Sequence, residues 1–132
     1  MNLLLDTHIW LWSVGDPKHL TARVARELAS TSNQIWISPV SVWELHLLHR
    51  KKRVDLDGVD IEVWVRRTME NLSFNEATMT VDVALEVSKL RLPHGDPADH
   101  FLVASAKVFG LTLVTSDERI IDSADVPILP NR

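Results

Sequence analysis

The chain has no cysteine in 132 residues, which excludes a disulfide framework, a thiolate nucleophile and thiolate zinc sites. It has no long hydrophobic run either: none approaches the ~18 apolar residues of a membrane-spanning helix. Its opening, "MNLLLDTH", lacks the basic flank and extended apolar stretch of a secretory signal, so a cytoplasmic protein with no membrane partner is expected. Positive charge is not in excess, since 14 Lys and Arg face 18 Asp and Glu for a net −4. That balance does not suit a protein gripping nucleic acid by charge alone, but it suits one doing so through a bound cation. Repeats, low-complexity tracts and linkers are missing too, and a single domain over residues 1–132 is expected. What remains is 45% apolar and 24% charged, a globular composition with enough chain to bury a core.

Apolar periodicity orders the chain. "NLLL" (2–5) reads as a strand, "THIWLWSVG" (7–15) as a helix closed near Gly15, and "LTARVARELAS" (20–30) as a helix. "QIWIS" (34–38) is a second strand. A helix over 38–53 follows, with Ser38 as cap and Pro39 in its first position. A helix at 60–72, a weak strand or loop at 73–78 and a helix at 80–90 come next. The last elements are a helix from Pro97 to Phe109, a strand at 111–117 and a short strand at 126–130. Strands alternating with helices imply a parallel sheet covered on both faces.

"LPHGDPADHFLVASA" (92–106) places two aspartates three apart before an apolar helix. Asp96 before Pro97 is a good N-cap, and Asp99 meets the positive end of the helix dipole, so capping alone explains both. The rest of the chain tilts the reading. Asp6 stops the first strand and Asp117 ends the strand "LTLVTSD"; in parallel sheets, strand carboxyl ends line the ligand crevice. Glu44 falls among Val40, Ser41, Leu47 and Leu48 which, with Trp43, form the stripe expected to face the core, unless it lies at the stripe's edge. A carboxylate there costs several kcal/mol unless paired or bound to a metal. Asp99 opens a helix that is apolar nearly all round and so expected to be buried. Four acids on one rim, at ~4 Å and an effective dielectric near 20, would repel by about 4 kcal/mol per pair. Protons or a cation must neutralise them, and oxygen-only ligands favour Mg²⁺ or Mn²⁺. On this reading Asp99 binds the metal, and Asp96 caps the helix and supports it.

The stretches "LLLDTHIWLW", "SPVSVWEL", "DPADHFLVASA" and "LVTSDERI", in that order across almost the whole chain, resemble the PIN-domain family and within it the VapC-type toxin ribonucleases. The resemblance implies a three-layer α/β/α sandwich around a central parallel sheet. It implies Asp6, Glu44, Asp99 and Asp117 as an acidic quartet, with Thr7, Asp96 and Thr115 or Ser116 in support. It also implies a Mg²⁺- or Mn²⁺-dependent endoribonuclease leaving a 5′-phosphate and a 3′-hydroxyl. Its attacking water would be made acidic and aligned by the metal, with Asp6 and Asp99 as the closest ligands. His100 follows Asp99 where related sequences often carry Arg, so no phosphate contact is assigned there.

"HRKKR" (His49, Arg50, Lys51, Lys52, Arg53) is either a solvated helix end complementing the dipole or a ridge that binds the RNA backbone, with Arg66 and Arg67 as weaker candidates. The six histidines (His8, His19, His46, His49, His94, His100) show no pairing that would suggest metal-free acid–base chemistry. Trp10 and Trp12 cannot share a helix face, so one points to the core and the other away. An exposed tryptophan marks an interface, and with the resemblance it points to a homodimer and a small cognate antitoxin. Two alternatives stand beside the nuclease. A haloacid-dehalogenase-like phosphatase needs an Asp where His8 stands, and a silent PIN fold that only binds RNA or protein would be expected to have lost an acid.

Overall fold

The computed structural model describes residues 1–92 and 96–132. Five strands, β1 (Asn2–Leu5), β2 (Gln34–Ile37), β3 (Asn75–Glu76), β4 (Thr112–Thr115) and β5 (Ile128–Pro130), form one sheet in the order β3-β2-β1-β4-β5. Every pairing is parallel. The helices are α1 (Thr7–Gly15), α2 (Ala22–Ala29), α3 (Pro39–Arg50), α4 (Ile61–Asn71), α5 (Val81–Val87), α6 (Pro97–Phe109) and α7 (Glu118–Ser123).

Period-two alternation in the central strands builds two cores, one on each face of the sheet. Leu3 and Leu5 of β1, with Val114 of β4, join Ile9, Trp10, Val24, Leu45 and Val65 from α1 to α4. Leu4 and Leu113 point the other way, to Ala98, Leu102, Val103 and Ala106 of α6 and Ile120 of α7. The result is the expected α/β/α sandwich. No helix among the described residues is long and apolar enough to cross a membrane.

The caps follow the local chemistry. Ser38 accepts from the Val40 amide ahead of Pro39, and Asp96 accepts from the Ala98 amide ahead of Pro97. Gly110 closes α6 at φ 66, where a side chain would be strained. Three details depart from the sequence reading. A 3₁₀ turn at Pro17–His19 delays α2, whose cap is Thr21. α5 stops at Val87, because the Ser88 hydroxyl and the Lys89 and Leu90 amides turn back on carbonyls three residues earlier. α7, capped by Asp117, is a helix of six residues, too short for periodicity to reveal.

Candidate active site

β1 has β2 on one side and β4 on the other, so the strand order switches at β1. A crevice opens at such a point beyond the strand carboxyl ends. Asp6 follows β1 there, and Thr115, Ser116 and Asp117 close β4 beside it. α3 brings in Glu44, and the first turn of α6 brings in Asp99, only 6% exposed. Asp6, Glu44, Asp99 and Asp117 line one cavity of about 440 Å³, with Asp96 as a fifth carboxylate. His8, Trp12, Ser116 and Arg119 complete its wall.

Asp6 has no capping bond of its own to α1. Its Oδ2 accepts the Thr115 hydroxyl at 2.7 Å, and Thr115 Oγ1 accepts the Asp117 amide at 3.1 Å. Burial pushes the Asp6 carboxyl above its ordinary value, against the opposing pull of Thr115, of His8 and of the Thr7 and His8 amides. Glu44 is raised too, first by burial and then by the charges of Asp6 and Asp96, while Thr7 and His8 oppose. Buried Thr7 Oγ1 makes no hydrogen bond among the described residues, so its pull on Glu44 is that of a nearby hydroxyl rather than of a formed bond. Burial acts the same way on Asp117 but is outweighed, because bonds from the Arg119 side chain and amide hold it below the ordinary range.

Asp96 is the cap, bonded to the Ala98 amide at 3.0 Å, and it also faces the cavity. Asp99 sits on the buried face of the same helix. The Glu44 stripe needs correction. Ser41 and Leu45 are fully buried, whereas Trp43 is 50% exposed; the stripe runs Val40–Ser41–Leu45 and leaves Glu44 half-buried on its flank. Ser116 lines the same cavity, and its hydroxyl donates to the Asn131 carbonyl and accepts from Asn131 Nδ2 at 2.8 Å.

Trp10 is fully buried against Trp64 and Phe74, while Trp12 lies half-buried between His8 and His19 at the mouth of the cavity. Among the described residues His8 is the one histidine lining the cavity; His94 lies outside them. In the basic run all five residues are exposed. Arg53 lines a second cavity, of about 430 Å³, that shares His8 and Trp12 with the acidic one. Arg119, Asn131 and the wall position of His8 escaped the sequence reading. Only Arg119 left a trace, as a cation two residues past a capping aspartate.

The donor set is all hard oxygen, which fits a divalent cation such as Mg²⁺ or Mn²⁺. The carboxylates line an open cavity without converging on one point: among the described residues, no three Asp, Glu or His side chains are grouped closely enough to hold an ion as they stand.

The chain is similar to Ribonuclease VapC22 of Mycobacterium tuberculosis (strain ATCC 25618 / H37Rv), at 26% identity over 122 residues, covering 90% of this chain and 89% of that one. Its fold matches VapBC2 from Rickettsia felis, solved bound to a DNA fragment from its promoter, with TM-score 0.74, 17% identity and 98% of each chain covered. A toxin–antitoxin complex from Klebsiella pneumoniae matches with TM-score 0.59, 22% identity and 98% of each chain covered. Residues 3–126 match the PIN domain, and the chain belongs to the PIN domain family.

Proposed function

We propose that this chain is a divalent-metal-dependent endoribonuclease and the toxin of a toxin–antitoxin pair. The observation that carries the reading is the gathering of Asp6, Glu44, Asp99 and Asp117 around one cavity at the switch point of the sheet. The similarity to a curated ribonuclease along nearly the whole chain supports the activity. Fold neighbours solved as a toxin–antitoxin complex support a small protein antitoxin as partner.

In this reading Asp6 and Asp99 are the closest ligands of Mg²⁺ or Mn²⁺, and Glu44 and Asp117 complete the acidic site directly or through water. Bound there, the metal would supply Lewis acidity to the phosphodiester and a more acidic water as nucleophile. The protein's own part is orientation. Thr115 fixes one Asp6 oxygen, Thr7 supports Glu44, and Asp96 holds the start of α6 so that Asp99 faces inward. His49, Arg50, Lys51, Lys52 and Arg53 offer the RNA backbone a cationic ridge reaching the neighbouring cavity through Arg53. Exposed Trp43, at 50%, is the candidate for a homodimer contact. A cytoplasmic location follows from an RNA substrate.

The test is cleavage of a pool of structured RNAs by the purified chain with Mg²⁺ or Mn²⁺, with EDTA, and as Asp6→Asn and Asp99→Asn. Metal-dependent cutting lost in both variants is expected. Cutting that survives EDTA would overturn the metal mechanism. Intact, metal-binding protein that cuts nothing would favour a PIN fold that binds without cleaving.

A further inference from the structure

Asp117 has both of its carboxylate oxygens engaged by a single arginine. Its Oδ1 accepts the Arg119 amide at 2.9 Å and Arg119 Nε at 3.4 Å, and its Oδ2 accepts Arg119 Nη2 at 3.3 Å. Both carboxylate oxygens are thus turned to the guanidinium. Arg119 is used differently. Of its five N–H donors two go to Asp117, and among the described residues the side chain donates to no other group. Its side chain is 60% exposed against 24% for Asp117, and among the described residues it is the only Lys or Arg on the cavity wall. The charges of Asp99 and Asp96 act on it across the cavity.

We propose that Arg119 is a substrate-binding residue that grips a phosphate of the RNA with its outward donors, and that Asp117 is its positioning residue rather than a direct metal ligand. The inference rests on the nuclease reading for the identity of the phosphate. A guanidinium is planar and presents paired donors, so one edge engages a carboxylate while another meets two phosphate oxygens. The anchoring bonds hold the fork at the rim of the cavity, and they explain why the fourth acid stands two residues before an arginine. A cavity of carboxylates repels an incoming phosphodiester; one fixed cation at its rim gives the polyanion a place to enter.

Two binding measurements test this apart from cleavage. Mn²⁺ affinity is measured by calorimetry for wild type, Asp99→Asn, Asp117→Asn and Arg119→Gln. Binding of a short, cleavage-resistant phosphorothioate RNA to the Mn²⁺-loaded proteins is followed by fluorescence anisotropy. The expected result is Mn²⁺ affinity lowered at least about tenfold in Asp99→Asn and within about threefold of wild type in Asp117→Asn and Arg119→Gln. RNA affinity falls about tenfold in Arg119→Gln and Asp117→Asn, no further in the double variant, and partly recovers in Arg119→Lys. Asparagine retains the α7 cap and the Arg119 side chain is exposed, so the Asp117 and Arg119 variants keep the fold. Mn²⁺ affinity falling as far in Asp117→Asn as in Asp99→Asn overturns the proposal, and so does wild-type RNA binding by Arg119→Gln. Failure of wild type to cut RNA would instead count against the nuclease reading and leaves both binding results decisive.

Discussion

Thr115 donates its hydroxyl to Asp6 at 2.7 Å, joining the ends of two neighbouring strands across 109 residues of sequence. The same oxygen accepts the Asp117 amide at 3.1 Å, so one fully buried hydroxyl ties the first acid to the loop of the last. Thr115→Val keeps the shape and removes both bonds. A cost of about 1–3 kcal/mol is expected, because two polar groups lose their partner. Urea unfolding reads it as a lower midpoint at unchanged slope, and an unmoved midpoint would show that the linkage adds no net stability.

Asp6 and Glu44 carry raised pKa values, with burial as the first cause. A carboxyl that resists ionisation in the folded state keeps its proton where the unfolded chain has lost it, so lowering the pH favours folding. Metal-free protein therefore gains stability from these groups as pH falls through their raised values toward the ordinary 3.8 and 4.5. It loses that contribution as pH rises. Asp6→Asn removes the aspartate part, so the variant is the more stable protein at neutral pH, and its advantage shrinks as pH drops toward 3.8. Each unit of elevation is worth about 1.4 kcal/mol. Denaturant titrations in EDTA between about pH 4 and 8 check it; an advantage that does not vary with pH would show that Asp6 ionises as easily folded as unfolded.

A cation that binds only the folded protein stabilises it by mass action, by about 2.7 kcal/mol at a hundredfold excess over its Kd. Saturating Mn²⁺ should thus raise the Tm on the order of 10 °C, and EDTA should reverse the rise. Asp6→Asn and Asp99→Asn should lose most of the effect. Thermal melts with and without Mn²⁺ settle it, and equal rises in wild type and both variants would place the ion elsewhere.

Asp6 and Asp99 were legible in the sequence because each puts a carboxylate at the end of a buried element, whereas Glu44 was read onto a core stripe that the fold draws along Val40, Ser41 and Leu45 instead. β1, β2, β4 and β5 were legible because their apolar runs are short, whereas β3 is two polar residues; α3 and α6 were legible because a cap and a proline mark their starts. What escaped depends on distance in the chain. Ser116 lines the acidic cavity, but nothing nearby in the sequence shows that its hydroxyl is tied to Asn131, fifteen residues on. Trp43 reads as core by helical spacing, yet it is exposed because α3 turns Val40, Ser41 and Leu45 inward. Arg119 carries no periodic signal in a six-residue helix, and its fork is placed by the fold that brings β4 beside β1.

Asn131 is 7% exposed and gathers three chain segments. Its Nδ2 donates to the His19 carbonyl at 3.0 Å and to Ser116 Oγ at 2.8 Å, and its Oδ1 accepts the Thr21 amide at 2.7 Å. Asn131→Ala strips all three bonds and leaves the Thr21 amide and the His19 carbonyl without their partner. A loss of about 2–3 kcal/mol is expected, read by urea unfolding. RNA cleavage should fall as well, since Ser116 precedes Asp117. A variant as stable as wild type would mean that water replaces the amide at no cost.

The basic run separates two kinds of cation. Arg53 lines the cavity that shares His8 and Trp12 with the acidic site, whereas Arg50 lines neither. Counterion release makes RNA affinity fall with salt, by a slope near 0.7 for each phosphate contacted on a single strand. A cation that touches the backbone beside the site should contribute one such contact, and a solvated helix end should contribute none. Arg53→Gln is therefore expected to raise KM for RNA several-fold and to lower the salt slope by about 0.7. Arg50→Gln is expected to change both only slightly. KM measured from low to moderate salt distinguishes the two, because a general loss of positive charge would affect both variants alike. Equal effects would return the ridge to its simpler role of complementing the α3 dipole.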